Sequence, residues 1–306
     1  MLRFASPLAR HAATHRATHR ATHRALMSTR RRRPRSPPTT TSPLKNLLLK
    51  PALFTGVTIA GSFGVTTAID RLNLRLPKWA VDMNQRTPHL WPFVGTVVLS
   101  NIAIFLMWQR GLPPRFLSKY FLSQHGMEHT FAMLGSTFSH RDLWHLGFNM
   151  FAFYSFSRST SFSLGSGDTA SMYLTCGVVS SWVAGVVSCY HPALKLLRVP
   201  ALGASGAVLG LVSYATLSQP NLELAIIFLP MFSFPAINML AGLVCFDLVG
   251  LVLGWRALGH AAHLTGVATG AGFYYGGLEA AQLYKRQVRM KVDMARRWYR
   301  DKMRRN

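Results

Sequence analysis

The sequence predicts an all-α membrane protein, a bundle of six transmembrane helices preceded by one extra helix. Three observations carry this. Of 306 residues, 49% are hydrophobic and only 14% charged, where a soluble domain of this size carries charge on about a quarter of its residues. Seven apolar stretches approach the roughly 20 residues needed to cross a bilayer core of about 30 Å. The formal charge of +24 is concentrated at the two chain ends, leaving the middle nearly neutral.

Residues 1–45 read as a targeting presequence and linker. No Asp or Glu precedes Asp70, and the segment is rich in Arg, Ser, Thr and Ala, with Ala-Thr-His-Arg repeated three times over 13–24. Arg-rich, Ser-rich and acid-poor is the composition of a mitochondrial presequence, and the apolar core of a secretory signal is missing from the first ~30 residues. A basic cytosolic tail is the alternative. His11, His15, His19 and His23 recur every four residues with no acid or thiol beside them, so the repeat is no metal site. Cys176, Cys189 and Cys245 all fall in apolar runs without CxxC spacing, which indicates neither a disulfide framework nor zinc. No cofactor is expected. Nucleic-acid binding is also excluded, because phosphate contacts need basic residues spaced over a folded surface, and here they flank a hydrophobic body.

The spans fall at about 51–69, 90–109, 142–157, 171–190, 203–218, 232–253 and 260–278. The first, with its linker, makes a separate unit over 46–89, the other six form a core over 90–280, and 281–306 is a basic tail. The connection 110–141 is longer than a turn and contains a mildly amphipathic segment suited to the membrane interface. Pro230 and Pro235 bracket a loop before the sixth span. Several spans carry small residues at helical spacing: Gly56, Ala60 and Gly64 in the first, Gly206, Gly210 and Ser213 in the fifth, Gly259, His263, Gly266 and Gly270 in the seventh. Small residues let helix backbones approach closely in lipid, but packing does not account for the polar residues on the same faces.

Those residues suggest chemistry. Gly203-Ala204-Ser205-Gly206 opens the fifth span; a serine at a helix start exposes its hydroxyl, and its backbone N–H lies at the positive helix end. A histidine inside a membrane helix is expensive and marks function by default, and neutral imidazole can take a serine proton. His263 lies on the glycine face that a close contact requires, whereas His260 sits nearly a turn earlier and off that face. In the third span His145 and Asn149, at i and i+4, point from one helix face and can donate to a developing oxyanion, although taken alone the pair reads more readily as a polar helix–helix contact. Asp247 is an intramembrane acid without an obvious partner, more readily structural than functional.

Together these elements resemble the rhomboid intramembrane proteases, and within them the mitochondrial, presenilin-associated type. The resemblance rests on His140, His145 and Asn149, then Gly203, Ser205 and Gly206, then Ala262, His263, Gly266 and Gly270, in this order over roughly 90–280. The extra first helix and the run from Asp247 through Gly250, Gly254, Trp255 and Arg256 to His263 are similar to the mitochondrial subgroup. The resemblance implies a serine endopeptidase with a Ser205–His263 dyad and no acidic third member. It places His145, Asn149 and the Ser205 amide at an oxyanion hole, with Gly203, Gly206, Gly266 and Gly270 as packing glycines. Its implied partners are the lipid bilayer and membrane-anchored proteins of the mitochondrial inner membrane, with the oligomeric state open. Two departures from the pattern are Leu209, where many bacterial members place an aromatic, and Trp108-Gln109-Arg110 in place of a Trp-Arg pair. A non-catalytic membrane adaptor is the alternative, but inactive relatives typically lose the Ser or the His, and both are present. A transporter would show repeated halves and several midplane charges, which this chain does not.

Overall fold

A computed structural model describes residues 48–72, 90–111, 113–123, 129–190, 201–226, 229–255 and 259–305. The expected presequence and most of the linker after the first span lie outside these residues. Helix α1 (Lys50–Leu72) is followed by α2 (Leu90–Gln109), two short helices α3 (Pro114–Tyr120) and α4 (Phe131–Gly135), and α5 (Leu143–Leu164). Then come α6 (Ser166–Tyr190), α7 (Ser205–Ser218), a hairpin β1 (Glu223–Ile226) and β2 (Leu229–Pro235), α8 (Ala236–Val252), α9 (His260–Gly272) and α10 (Leu278–Arg305).

Local chemistry sets the helix ends. Asp142 caps α5 by accepting the His145 N–H at 2.7 Å, which satisfies one of the four unpaired donors of the first turn. Gly165, at φ +83°, closes α5, and α6 starts at the next residue. Gly254, at φ +67°, ends α8. There the Trp255 N–H returns to the Gly250 carbonyl at 2.8 Å and the Gly254 N–H to the Leu251 carbonyl at 3.2 Å, the paired bonds of a Schellman motif.

Helix α6 is the hub and touches α1, α4, α5, α7 and α9. Helix α7 is buried almost all round, with ten of its 14 residues inside, as expected of a helix at the centre of a bundle. The core gathers Phe153, Met172, Tyr173, Val208, Leu211 and Val212; Phe153 and Tyr173 meet edge to face at 5.0 Å. Around it the usual distribution is inverted. Leu53, Val57, Leu99, Phe151, Leu248 and Val252 point outward, while Thr67, Asn101, Ser157, Thr160, Thr169, Ser171 and Ser213 are buried. Polar atoms inside and apolar ones outside suit a protein solvated by lipid, where small and hydroxylated residues make the helix contacts.

The structure redraws several spans. The third runs on to Leu164, the fourth begins at Ser166, and the sixth begins at Ala236. Pro235 cannot donate a helical hydrogen bond, and the segment before it pairs as the antiparallel hairpin, with Leu224 opposite Phe234. The long connection holds α3 and α4. Among the described residues, only α2, over Pro92–Gln109, and α6 are long and apolar enough to cross a membrane by length and composition; α7 and α8 are apolar but shorter. The serines, glycines and histidines that shape the interior lower the hydropathy of the rest.

Two contacts tie α1 and α6 to α10. The Tyr284 hydroxyl donates to the Ala60 carbonyl at 2.9 Å, on the small-residue face of the first span. Lys285 Nζ pairs with Asp168 Oδ1 at 2.7 Å, with the two side chains 12% and 10% exposed. Removing one partner of a largely shielded pair strands the other charge. Lys285→Met is therefore expected to lower stability by about 1–2 kcal/mol, discounted for the residual solvent. The double variant with Asp168→Asn should recover part of that loss, as read from thermal unfolding in detergent.

Candidate active site

The site lies where α7, α8 and α9 meet. Helix α7 opens at Ser205, so the amides of its first turn have no partners within the helix, and the partial positive charge of the helix end surrounds the Ser205 hydroxyl. Gly203, just before it, has φ +132°, a conformation other residues adopt only under strain. A Cβ there would also stand 2.8 Å from His145 Cε1, so glycine is needed both for the turn and for the imidazole beside it.

Helices α7 and α9 touch backbone to backbone. A Cβ on Gly266 would land on the Gly206 carbonyl oxygen, and one on Gly270 on the Gly210 carbonyl oxygen. On its α6 side Gly206 is equally constrained, since a Cβ would lie 2.6 Å from Ser180 Cβ. This approach brings the side chains of one turn together: His263 Nε2 is 2.8 Å from Ser205 Oγ. His263 Nδ1 faces Asp247 of α8, at 3.2 Å from each carboxylate oxygen. His260 joins them, with Nδ1 2.6 Å from Asp247 Oδ1.

Asp247, expected to stand without a partner, is therefore held by two imidazoles, and it is 2% exposed. His260, expected off the working face, is turned toward the same carboxylate. Its ring occupies the space a Cβ on Gly250 would need, and Phe246 and Trp255 meet it edge to face at 5.8 and 6.1 Å. The signal in the sequence was the pairing of an acid in the sixth span with a His-x-x-His at the start of the seventh. Contact between neighbouring spans is what the sequence alone did not supply.

On the other side of Ser205, His145 stands against Gly203, and its ring meets that of His140 at 4.9 Å. The Asn149 amide donates to the His145 carbonyl of its own helix at 2.8 Å, so in this conformation it is turned back on α5. His140 is fully buried and accepts the Ala204 N–H through Nε2 at 3.4 Å, bracing the turn before Ser205. Burial first, then the neighbouring His145, lowers the His140 pKa to about 3, against a weaker opposing pull from Asp142. The unfolded chain therefore takes up this proton near pH 6.5 while the folded one refuses it. Stability from this site is present above pH 6.5 and is lost progressively between there and pH 3. Thermal unfolding at pH 7 and pH 4.5 should show a smaller difference in His140→Asn than in the parent.

The family model for the rhomboid domain matches residues 128–280, half of the chain. The chain belongs to the rhomboid family. This rhomboid is 37% identical over 179 residues to the presenilin-associated rhomboid-like protein, mitochondrial, of Homo sapiens, covering 58% of the chain and 46% of that protein. It is 36% identical over 203 residues to the same-named protein of Mus musculus, 65% of the chain and 51% of the relative. Against Rhomboid protein 1, mitochondrial, of Saccharomyces cerevisiae it is 31% identical over 202 residues, 65% and 56% respectively. The chain spans about half the length of the curated relatives it matches. The resemblance read from the motifs is thus borne out, and the chain is a membrane protein of the mitochondrion.

Proposed function

We propose that this rhomboid is an intramembrane serine endopeptidase of the mitochondrial inner membrane, with a six-helix core and one added helix, cleaving proteins anchored there by a transmembrane segment. One observation carries the reading: Ser205 Oγ and His263 Nε2 stand at hydrogen-bond distance, 2.8 Å, between two helices whose glycines let the backbones touch. In the proposed step His263 Nε2 takes the hydroxyl proton as Ser205 Oγ attacks a substrate carbonyl, and later returns it to the leaving amine. The negative charge that develops on the carbonyl oxygen falls at the start of α7, where the Ser205 amide and the adjacent His145 can donate to it. Asn149 would contribute after its amide turns away from the α5 backbone.

A serine-directed fluorophosphonate tests the reading without knowledge of the substrate. Folded protein should be labelled at Ser205, and labelling should vanish in His263→Ala; a folded parent protein that stays unlabelled would favour the adaptor role. Two signals for orientation disagree: the family layout puts the N-terminus in the matrix, whereas the tail, whose Lys and Arg outnumber its acids ten to two over 285–306, pulls the C-terminus there. With the presequence removed, the basic tail alone favours the matrix side, in which case a C-terminal tag should resist added protease in mitoplasts. Degradation of the tag there would support the family layout instead.

A further inference from the structure

Helix α10 carries more positive charge than the fold uses. It follows the seventh span across a kink at Gly276, where the backbone leaves helical geometry, so it does not continue the axis of α9. One side of α10 belongs to the fold. Ala281 is buried, Tyr284 bonds to α1, Lys285 pairs with Asp168 of α6, and Val288 and Val292 are half-buried.

The other side is exposed and patterned. At about 100° per residue, Leu283, Met290, Met294 and Trp298 fall within one arc of about 80°, and all four are exposed. Arg286, Arg289, Arg296, Arg297, Arg300 and Arg304 share the adjoining arc of about 100°, exposed as well. Asp293 lies in the arginine arc and Asp301 in the apolar one, so two acids offset only part of the charge. A basic arc beside an apolar one suits a helix lying in a membrane interface, with cations among headgroups and apolar side chains among acyl chains. Trp298 has the amphipathic ring that favours that boundary.

Position and charge select the partner. Arg286 stands about 12 Å of helix beyond Leu278, so a bilayer holding the seventh span is already at high effective concentration. Ten Lys and Arg against two acids over 285–306 attract anionic headgroups, and the attraction grows with each cation near the surface. A second copy of α10 would bring like charges together, which opposes pairing. We propose that α10 is a docking surface for anionic lipid. The stripe from Leu283 to Trp298 enters the interface of the bilayer that holds the core, and the arginine arc lies over acidic headgroups. This surface is independent of the proposed protease function.

The test uses the full chain reconstituted into vesicles of phosphatidylcholine, or of phosphatidylcholine with phosphatidylglycerol, each brominated in the acyl chains. Quenching of Trp298 is the difference between each protein and the same protein carrying Trp298→Phe, with thermal unfolding alongside. In the anionic vesicles Trp298 should emit further to the blue and be quenched, and about 1 M salt, which shortens screening to about 3 Å, should reverse most of this. The variant combining Arg296→Gln, Arg297→Gln, Arg300→Gln and Arg304→Gln should lower the ratio of docked to free helix by about 10²–10³-fold and lose the quenching. Equal quenching in both vesicles, insensitive to salt, overturns recognition of anionic lipid and leaves an apolar contact only. No quenching of Trp298 in the anionic vesicles also overturns it, and assigns the face to an acidic protein. The salt comparison on the parent decides the matter should the four-arginine variant not fold.

Discussion

Replacing Ser205 with alanine is expected to remove proteolysis of a membrane-anchored substrate by at least about 10⁴-fold while leaving the fold intact. Members of a nucleophile–base unit act together, and losing either typically costs nearly as much as losing the whole, with a residual from charge stabilisation and binding. Here that residual would come from the first-turn amides of α7 and from His145, which the substitution leaves in place. The structural cost should be small, because the hydroxyl is only partly buried and its bond is to His263, whereas the turn before it is held by other contacts. The Gly203 N–H donates to the Ser136 carbonyl at 2.9 Å, and the Ala204 N–H to His140. His263→Ala should match the loss within about tenfold, since a serine without a base is a poor nucleophile at neutral pH. The measurement is cleavage of a reconstituted single-span substrate in proteoliposomes, with thermal unfolding of each variant in parallel. Cleavage surviving in folded Ser205→Ala would assign the nucleophile elsewhere.

The parts of this site differ in how far they could be read from sequence, for physical reasons. Ser205, His263 and their glycines were legible because lipid makes polar residues conspicuous and because close helix contact demands glycine at helical spacing. The two signals coincide on α7 and α9. The role of Asp247 was not legible, because its meaning depends on which neighbouring helix faces it, and periodicity within one span says nothing about the adjacent one. His260 was misplaced for a related reason. The glycine face of α9 is the one toward α7, and the His-x-x-His that marks a second working face toward α8, where Gly250 opens the space, takes its meaning only from the neighbouring helix. The hairpin was missed because its strands are short and broken by proline, in a segment that reads as a loop. The third and fourth spans were drawn too short, because Arg158 to Ser161 at the end of one and Ser166 to Asp168 at the start of the other make helical segments read as polar connections.

A loss of both fold stability and chemistry is expected from Gly266→Ala, a change of one methyl group. The added Cβ would fall on the Gly206 carbonyl oxygen, which belongs to the backbone and cannot rotate away as a flexible side chain would. Two responses are open, and both are costly. The helices can separate, which opens packing along the α7–α9 interface, repeated one turn on at Gly270 and Gly210; or the backbone can distort. Overpacking of this kind typically costs about 1–3 kcal/mol and at times more. The chemical cost is larger. Gly206 adjoins Ser205 and Gly266 lies three residues from His263, so separation at this point acts on the 2.8 Å contact between hydroxyl and imidazole. A displacement of about 1 Å can cost 10²-fold in rate, and the hydrogen bond itself weakens steeply beyond its normal length. Gly242→Ala is the matched control. It sits in α8 with nothing within 4 Å of the added Cβ, and alanine favours helix by about 1 kcal/mol over glycine, so neither activity nor stability should fall. Thermal unfolding and Ser205 labelling of the two variants separate the outcomes. A Gly266→Ala protein that melts and labels like Gly242→Ala would show that α7 and α9 are not in backbone contact, and the basis for a serine–histidine pair between them would go with it.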